Sequence, residues 1–248
     1  LFDKNRTILG GASTKNLNRI HLGYHYPRDP DTIVQSKKSY KSFISMYGKS
    51  VITNFNNYYA ISKFSKTSSE LYEKVLKKFK LKFKIVDKLK NIQVKNLEKI
   101  YEVEEPIYSW SKIKSIINKK IKNDKKRIFL NSNINHIKYN SSKFILKLKK
   151  KEKKFDLIID ASYEGSNNLV KRFVKLKDNI YQLTNVLEIK FSNMKNFGLC
   201  VMDGPFFSFL PQAQNNKTLL YHVKYSVLKN KKTKIFNKDW FKINTKLL

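Results

Sequence analysis

Gly10-Gly11-Ala12-Ser13-Thr14-Lys15-Asn16-Leu17-Asn18-Arg19-Ile20-His21-Leu22-Gly23-Tyr24-His25-Tyr26-Pro27-Arg28-Asp29 holds two of the chain's four histidines, two of its five arginines and three of its seven glycines. Elsewhere the polar surface is nearly all Lys, Asn and Ser, so the stretch asks for a chemical explanation. Its first half is small and hydroxylated. It lets backbone approach a ligand closely and lets a short helix start near Ser13, where free N–H groups suit phosphate or ring oxygens. The second half, His21 to Arg28, alternates aromatic and polar side chains until Pro27 halts regular structure.

Working outward, Leu1-Phe2-Asp3 reads as a strand ending in an acid. An acid at the end of the second strand of a dinucleotide-binding unit accepts hydrogen bonds from ribose hydroxyls. An Asp also ends strands simply because it favours turns. From Asp29 the pattern turns helical, with Pro30 in the first turn and Ile33, Tyr40, Phe43, Ile44 and Tyr47 on one face. Tyr58 to Ile61 reads as a strand, Ser68 to Phe79 as a second helix, and Phe83 to Val86 and Ile92 to Val94 as short strands. The scarce acids Glu102, Glu104 and Glu105 precede a helix carrying Ile113, Ile116, Ile117 and Ile121, where negative charge suits a helix N-terminus. Strands are expected at Ile128 to Leu130, Ile134 to Tyr139 and Phe144 to Leu148, and Lys147 to Lys154 reads as a solvated hairpin edge. Leu157-Ile158-Ile159 is a continuous apolar run that suits a buried parallel strand, leading into the small residues Ala161 and Ser162. The last third reads as β at Val186 to Phe191, Gly198 to Met202, Phe206 to Leu210 and Leu219 to Ser226.

The composition bounds the rest. A chain of 248 residues that is 41% hydrophobic can bury a core as one large or two modest domains. The net charge of +33 raises a polyanion partner. The charge is lysine spread from Lys4 to Lys246, however, with only Arg6, Arg19, Arg28, Arg127 and Arg172 as arginines, and no nucleic-acid-binding motif accompanies it. No specific nucleic acid is expected as a partner. The single Cys200 excludes an intrachain disulfide and fits a reducing, cytoplasmic setting. No apolar run approaches the ~20 residues that span a bilayer. His21 and His25 lack the helical spacing context of a zinc site, and no metal is expected.

Taken in order, Leu1-Phe2-Asp3-Lys4, Gly11-Ala12-Ser13 with Asn16, His21 to Arg28, and Asp156 to Asn167 resemble the FAD-dependent oxidoreductases of the D-amino-acid oxidase type. Met202 to Phe206 is similar to a segment of some members. The resemblance implies an α/β fold: an incomplete Rossmann-like FAD-binding domain, residues 1–40 and 106–170, with a second β-rich (α+β) substrate domain, residues 41–105 and 171–248. It implies that Asp3 holds the adenosine ribose and that Gly11, Ala12, Ser13 and Asn16 lie along the pyrophosphate, ribityl chain or flavin. Backbone near Ile134 would meet the adenine, and Ala161 and Ser162 would pass close to the cofactor. The family's first strand and Gly-rich loop would lie upstream of Leu1, and its closing segment after Leu248. The expectation is therefore poor FAD binding by this chain alone.

In such enzymes the flavin carries the redox chemistry, taking a hydride from a C–H next to an amine or hydroxyl of a small-molecule substrate. The candidate catalytic residues are His21 and His25, which can accept a proton near neutral pH, and Arg28, which can clamp a carboxylate. A loop histidine also serves as a plain hydrogen-bonder. Two other readings stand beside this one: a basic nucleic-acid-binding module and a non-catalytic remnant of the flavoprotein fold.

Overall fold

The structure, a computed structural model, describes residues 1–89, 92–123, 127–148, 151–190, 197–213 and 217–241. By packing, the chain forms two compact units. One comprises Leu1–Gly11, Lys125–Thr184 and Val227–Leu248, the other Ala12–Asp124 and Asn185–Ser226. The unit boundary falls between Gly11 and Ala12, inside the opening stretch, and residues 12–40 pack with 41–105.

Along the chain the elements are α1 (Pro30–Tyr47), β1 (Val51–Ile52), β2 (Asn56–Ser62), α2 (Ser69–Lys78), β3 (Phe83–Val86), β4 (Leu97–Val103), β5 (Ile107–Tyr108) and α3 (Trp110–Asn123). They continue with β6 (Ile137–Asn140), β7 (Lys143–Leu148), β8 (Lys151–Phe155), α4 (Ser166–Val170), β9 (Asn179–Thr184) and β10 (Leu187–Ile189). The last are β11 (Phe197–Met202), β12 (Phe207–Pro211), β13 (Thr218–His222) and β14 (Val227–Thr233). α1 starts where its sequence says it should. Asp29 accepts hydrogen bonds from the Thr32 amide (3.0 Å) and hydroxyl (2.6 Å), and Pro30 fills a position that has no intrahelical donor to lose. Ser68 caps α2 in the same way, accepting from the Leu71 amide.

The second unit is built on a seven-stranded sheet, order β10-β13-β12-β11-β2-β4-β3, antiparallel except for the β11–β2 pair. The run Tyr58-Tyr59-Ala60-Ile61 puts apolar side chains on both faces of β2, so the strand is buried on both. Tyr59 and Ile61 pack with Tyr24, Ile33, Tyr72, Leu76, Tyr101, Cys200 and Met202 on the face covered by α2. Tyr58 and Ala60 pack with Ile100, Leu199, Val201 and Phe209 on the other. Register sets Tyr59 beside Cys200, and Cys200 beside Ser208, so one polar row crosses three strands on the helix-covered face.

The first unit carries a three-stranded meander, β6-β7-β8, and the pair β9-β14. Phe2 bridges Phe129 in parallel, the two rings stacked 5.0 Å apart, so the strands expected at Leu1 to Asp3 and Ile128 to Leu130 are each reduced to one bridging residue.

Two further strand expectations are corrected. The strand expected at Ile92 to Val94 begins instead at Leu97, after Asn96 turns the chain with a φ of 60°. The run Leu157 to Ile159 forms no strand, and Leu157 and Ile159 are 72% and 84% exposed. A parallel strand gets its burial from neighbours on both sides, and no described strand pairs with this one. The pair β9-β14 was not expected, because Val227 to Thr233 carries three lysines and no apolar–polar alternation. Phe191, the end of the expected Val186 to Phe191 strand, lies outside the described residues.

Gly23 is the position where glycine is required. Its φ is +114°, and a Cβ there would stand 2.7 Å from Cγ2 of Ile33, which is fully buried. Gly23→Ala is expected to lose about 3 kcal/mol of unfolding free energy in urea titrations. Gly11→Ala, whose Cβ meets nothing within 4 Å, should stay within about 0.5 kcal/mol of the parent.

Candidate functional site

Local structure around the quoted stretch begins with a 3₁₀ turn at Ala12–Thr14. Asn16 closes it, its Nδ2 donating to the carbonyls of Ala12 (3.1 Å) and Ser13 (3.3 Å). Its Oδ1 accepts from the Asn18 amide (2.7 Å) and the Tyr108 hydroxyl (3.2 Å). The chain then runs antiparallel to β5: Ile20 N donates to Pro106 O, Tyr108 N donates to Asn18 O, and Arg19 bridges Ile107. That short pairing delivers Arg19, His21 and His25 to the polar row on the sheet.

There the side chains form a directed network. Arg19 Nη1 donates to the Tyr59 hydroxyl (2.9 Å), and that hydroxyl donates to Glu105 Oε2. Arg19 Nε lies 3.5 Å from the same oxygen, with the side chains 4% and 0% exposed. Glu105 Oε1 accepts from the Leu22 amide at 3.0 Å, and Asn57 Nδ2 donates to the Glu105 carbonyl at 2.8 Å. Since Arg has no acceptor, His25 Nδ1, 3.3 Å from Arg19 Nη1, accepts from it. Cys200 Sγ lies 3.5 Å from the same nitrogen and accepts from the Ser208 hydroxyl at 3.0 Å.

Burial alone would push the Glu105 carboxyl up. His21, the Arg19 charge and the Tyr59 hydroxyl together outweigh it and hold the group down at about 2. Burial, reinforced by the Glu105 charge, keeps Tyr59 protonated well above its ordinary range. For Cys200, burial is outweighed by Arg19 and His25, and the thiol is lowered to about 7. The thiol is nonetheless fully buried, so its reactivity is internal.

His21 leans out of this network. Its Nδ1 is buried and lies 3.7 Å from Glu105 Oε1, while the side chain is 36% exposed. The ring lines a cavity of about 290 Å³ with Arg19, Ser39, Tyr40, Phe43 and Tyr108. The structure thus brings His21 and His25 together, ring centroids 5.7 Å apart, and sets Arg28 elsewhere. Arg28 grips an internal carboxylate: Nε and Nη2 donate to Asp203 Oδ2 (2.5 Å) and Oδ1 (3.2 Å), and Thr67 Oγ1 donates to Oδ2.

The residues expected to line a cofactor lie in both units, and all are exposed or half-buried. In the first unit, Asp3 Oδ1 accepts from the Asn5 amide and side chain, which leaves Oδ2 without a hydrogen bond. Ile134 lies in the irregular stretch before β6, and Ala161 and Ser162 precede a 3₁₀ turn at Tyr163–Gly165. Asp160 receives the Ser162 amide and the Ser166 hydroxyl, while Ser162 Oγ is buried without a partner. In the second unit, Ala12, Ser13 and Asn16 form the turn described above.

Sequence reading missed Arg19 and Glu105. It took the acids at 102–105 as a prelude to a helix, but α3 starts only at Trp110, and Glu105 is a fully buried ion. The available signal was a scarce acid beside Pro106 in a lysine-rich chain. Cys200, in the strand expected at Gly198 to Met202, has one polar partner on the neighbouring strand, Ser208, and the other 175 positions away at His25. Among the described residues no group of three metal-ligating side chains occurs, and no helix is long and apolar enough to cross a membrane.

No protein-family model and no curated protein matches the sequence. Solved structures do match. Glycine oxidase from Geobacillus kaustophilus superimposes with a TM-score of 0.70 at 11% identity over 93% of this chain and 64% of that one. L-α-glycerophosphate oxidase from Mycoplasma pneumoniae, with FAD bound, gives 0.66 at 14% identity over 96% and 66%. L-amino acid deaminase from Proteus vulgaris with its specific insertion sequence deleted gives 0.61 at 11% identity over 91% and 62%. At these identities the likeness shows the fold: the chain has the α/β architecture of this oxidoreductase class, as its sequence resemblance implied. It spans under two thirds of the length of the glycine oxidase.

Removing Arg19 leaves Glu105 as an uncompensated buried charge. Arg19→Met is therefore expected to cost about 3–5 kcal/mol in urea unfolding. Because folding holds Glu105 at about 2, below its ordinary 4.5, its contribution to stability is complete above pH 4.5 and fades as pH falls toward 2. That contribution, on the order of 3 kcal/mol, should be missing from the acid limb of the Arg19→Met, Glu105→Leu double variant.

Proposed function

We propose that the chain is part of an FAD-dependent oxidoreductase that oxidises a C–H next to an amine or hydroxyl of a small molecule. The observation that carries this reading is a solvent-facing histidine, His21, backed by a buried carboxylate, on a chain with the oxidase fold. The first unit supports FAD as the cofactor: Asp3 offers a free carboxylate oxygen at the end of a strand-like segment, as a ribose hydroxyl requires. Ser162 offers an unpartnered hydroxyl beside Ala161. Gly11, Ala12, Ser13 and Asn16 suit close backbone approach, and Ile134 the adenine. The flavin, when bound, supplies the hydride acceptor.

The chain's own residues supply the rest. His21 takes the proton of the substrate's amine or hydroxyl on its exposed nitrogen. Glu105 and Arg19 hold the floor beneath it, and Tyr59 locks those two together. His25 is held against Arg19 and Cys200 and keeps the loop's polar face in place. Arg28, through Asp203 and Thr67, ties the loop before α1 to the turn after β11. A cytoplasmic location, suggested by the lone cysteine, belongs to the same reading.

This chain alone is expected to bind FAD poorly and to be inactive, so the test is anaerobic mixing of the longer, FAD-loaded oxidoreductase of which it is proposed to be part with panels of amino acids and 2-hydroxy acids, following loss of oxidised-flavin absorbance. Reduction by at least one panel is expected, slowed about 10²–10⁴-fold in His21→Ala with flavin still bound. FAD uptake without reduction by any compound would favour a non-catalytic remnant. Specific nucleic-acid binding that survives moderately high salt would favour the basic-module reading.

A further inference from the structure

The two nitrogens of His21 face different worlds. Nδ1 is buried and makes no hydrogen bond, and a carboxylate oxygen, Glu105 Oε1, stands 3.7 Å away. Nε2 makes no hydrogen bond among the described residues, and it belongs to a side chain that is 36% exposed, in a residue lining the 290 Å³ cavity. Which nitrogen carries the proton in the neutral ring is decided by what the buried one meets.

Glu105 cannot turn away. Its Oε1 is held by the Leu22 amide at 3.0 Å, its Oε2 by the Tyr59 hydroxyl, and its backbone carbonyl by Asn57. The side chain is fully buried, and the Arg19 cation beside it keeps it ionised. A lone pair on the buried Nδ1 would face that carboxylate, whereas an N–H would be drawn to it. The other rings near His21, those of His25 and Tyr26 with centroids 5.7 and 5.2 Å away, make no hydrogen bond to it.

We infer that Glu105 is a positioning residue that fixes neutral His21 with its proton on Nδ1, leaving Nε2 as the lone-pair nitrogen of a partly exposed ring. A proton arriving at Nε2 from an O–H or N–H in the cavity then makes an imidazolium whose charge Glu105 neutralises from behind. The tautomer stands on the geometry alone, and only the use of Nε2 as the site's base rests on the oxidoreductase reading.

The experiment is a long-range ¹H–¹⁵N correlation spectrum of the histidine rings in the ¹⁵N-labelled chain, at a pH where the rings are neutral. His21 is assigned by its absence in His21→Gln. The expected pattern is a protonated Nδ1 and an unprotonated Nε2, and a protonated Nε2 would overturn the inference. In Glu105→Gln the tautomer ratio should fall at least about tenfold, equivalent to ~1.4 kcal/mol. An unchanged ratio in that folded variant would also overturn it. Should Glu105→Gln fail to fold, Glu105→Asp keeps the charge that Arg19 needs while withdrawing the carboxylate by one methylene. Its ratio should move the same way, and the parent spectrum decides the tautomer by itself. A flavin that no compound reduces would defeat the proposed reaction and leave this result standing. The opposite tautomer alongside normal flavin reduction would defeat only the role of Glu105.

Discussion

A cation and an anion taken out of water together, Arg19 and Glu105, are the constraint on which the second unit turns. Neither is tolerable there alone, because an unpaired buried charge costs several kcal/mol. Their pairing forces residues 18–20 to lie against β5 and forces Tyr59 to present its hydroxyl between them. The sheet supplies the complement. β2 is buried on both faces, so a polar tip on Tyr59 is acceptable only where a donor and an acceptor wait for it, and both do. The fold and the site are one set of interactions here, and a variant that weakens the pair should loosen the loop bearing the histidines as well as the sheet beneath it.

The same pair explains the division of labour among the loop's side chains. His25 is drawn inward by the Arg19 and Cys200 that border it, while His21 sits where the network ends and the cavity begins. Arg28 lies beyond both, and its guanidinium is spent on Asp203. Proximity in sequence therefore gave one cluster of reactive residues, and burial separated it into a supporting part and an open part.

Much of the fold was legible because periodicity is a local property. α1 with its Asp29 cap, α2 with its Ser68 cap, the double-sided strand around Tyr58 to Ile61 and the late strands Phe197–Met202 and Phe207–Pro211 all follow from nearby residues. What escaped were features defined by distant partners. Glu105 and Arg19 are 86 positions apart, and nothing near Glu105 says that its charge will be buried. Leu157 to Ile159 misled for the converse reason: an apolar run announces a willingness to pair, but pairing needs strands on either side. β14 offered no alternation to read, since a two-stranded ribbon open to water needs few apolar residues.

That exposed apolar run also gives the lysine excess a meaning apart from recognition. Leu157 and Ile159 stand open immediately after a hairpin strand carrying Lys151, Lys153 and Lys154. The run is also bracketed directly by Asp156 and Asp160, and charge close to a sticky segment is how such segments are kept from meeting their copies. In a chain of net charge +33 the repulsion acts over a Debye length of about 10 Å at 0.1 M salt and shortens as salt is added. Its colloidal behaviour is then set by ionic strength as much as by the stability of the fold: dispersed in dilute buffer, self-adhering in brine.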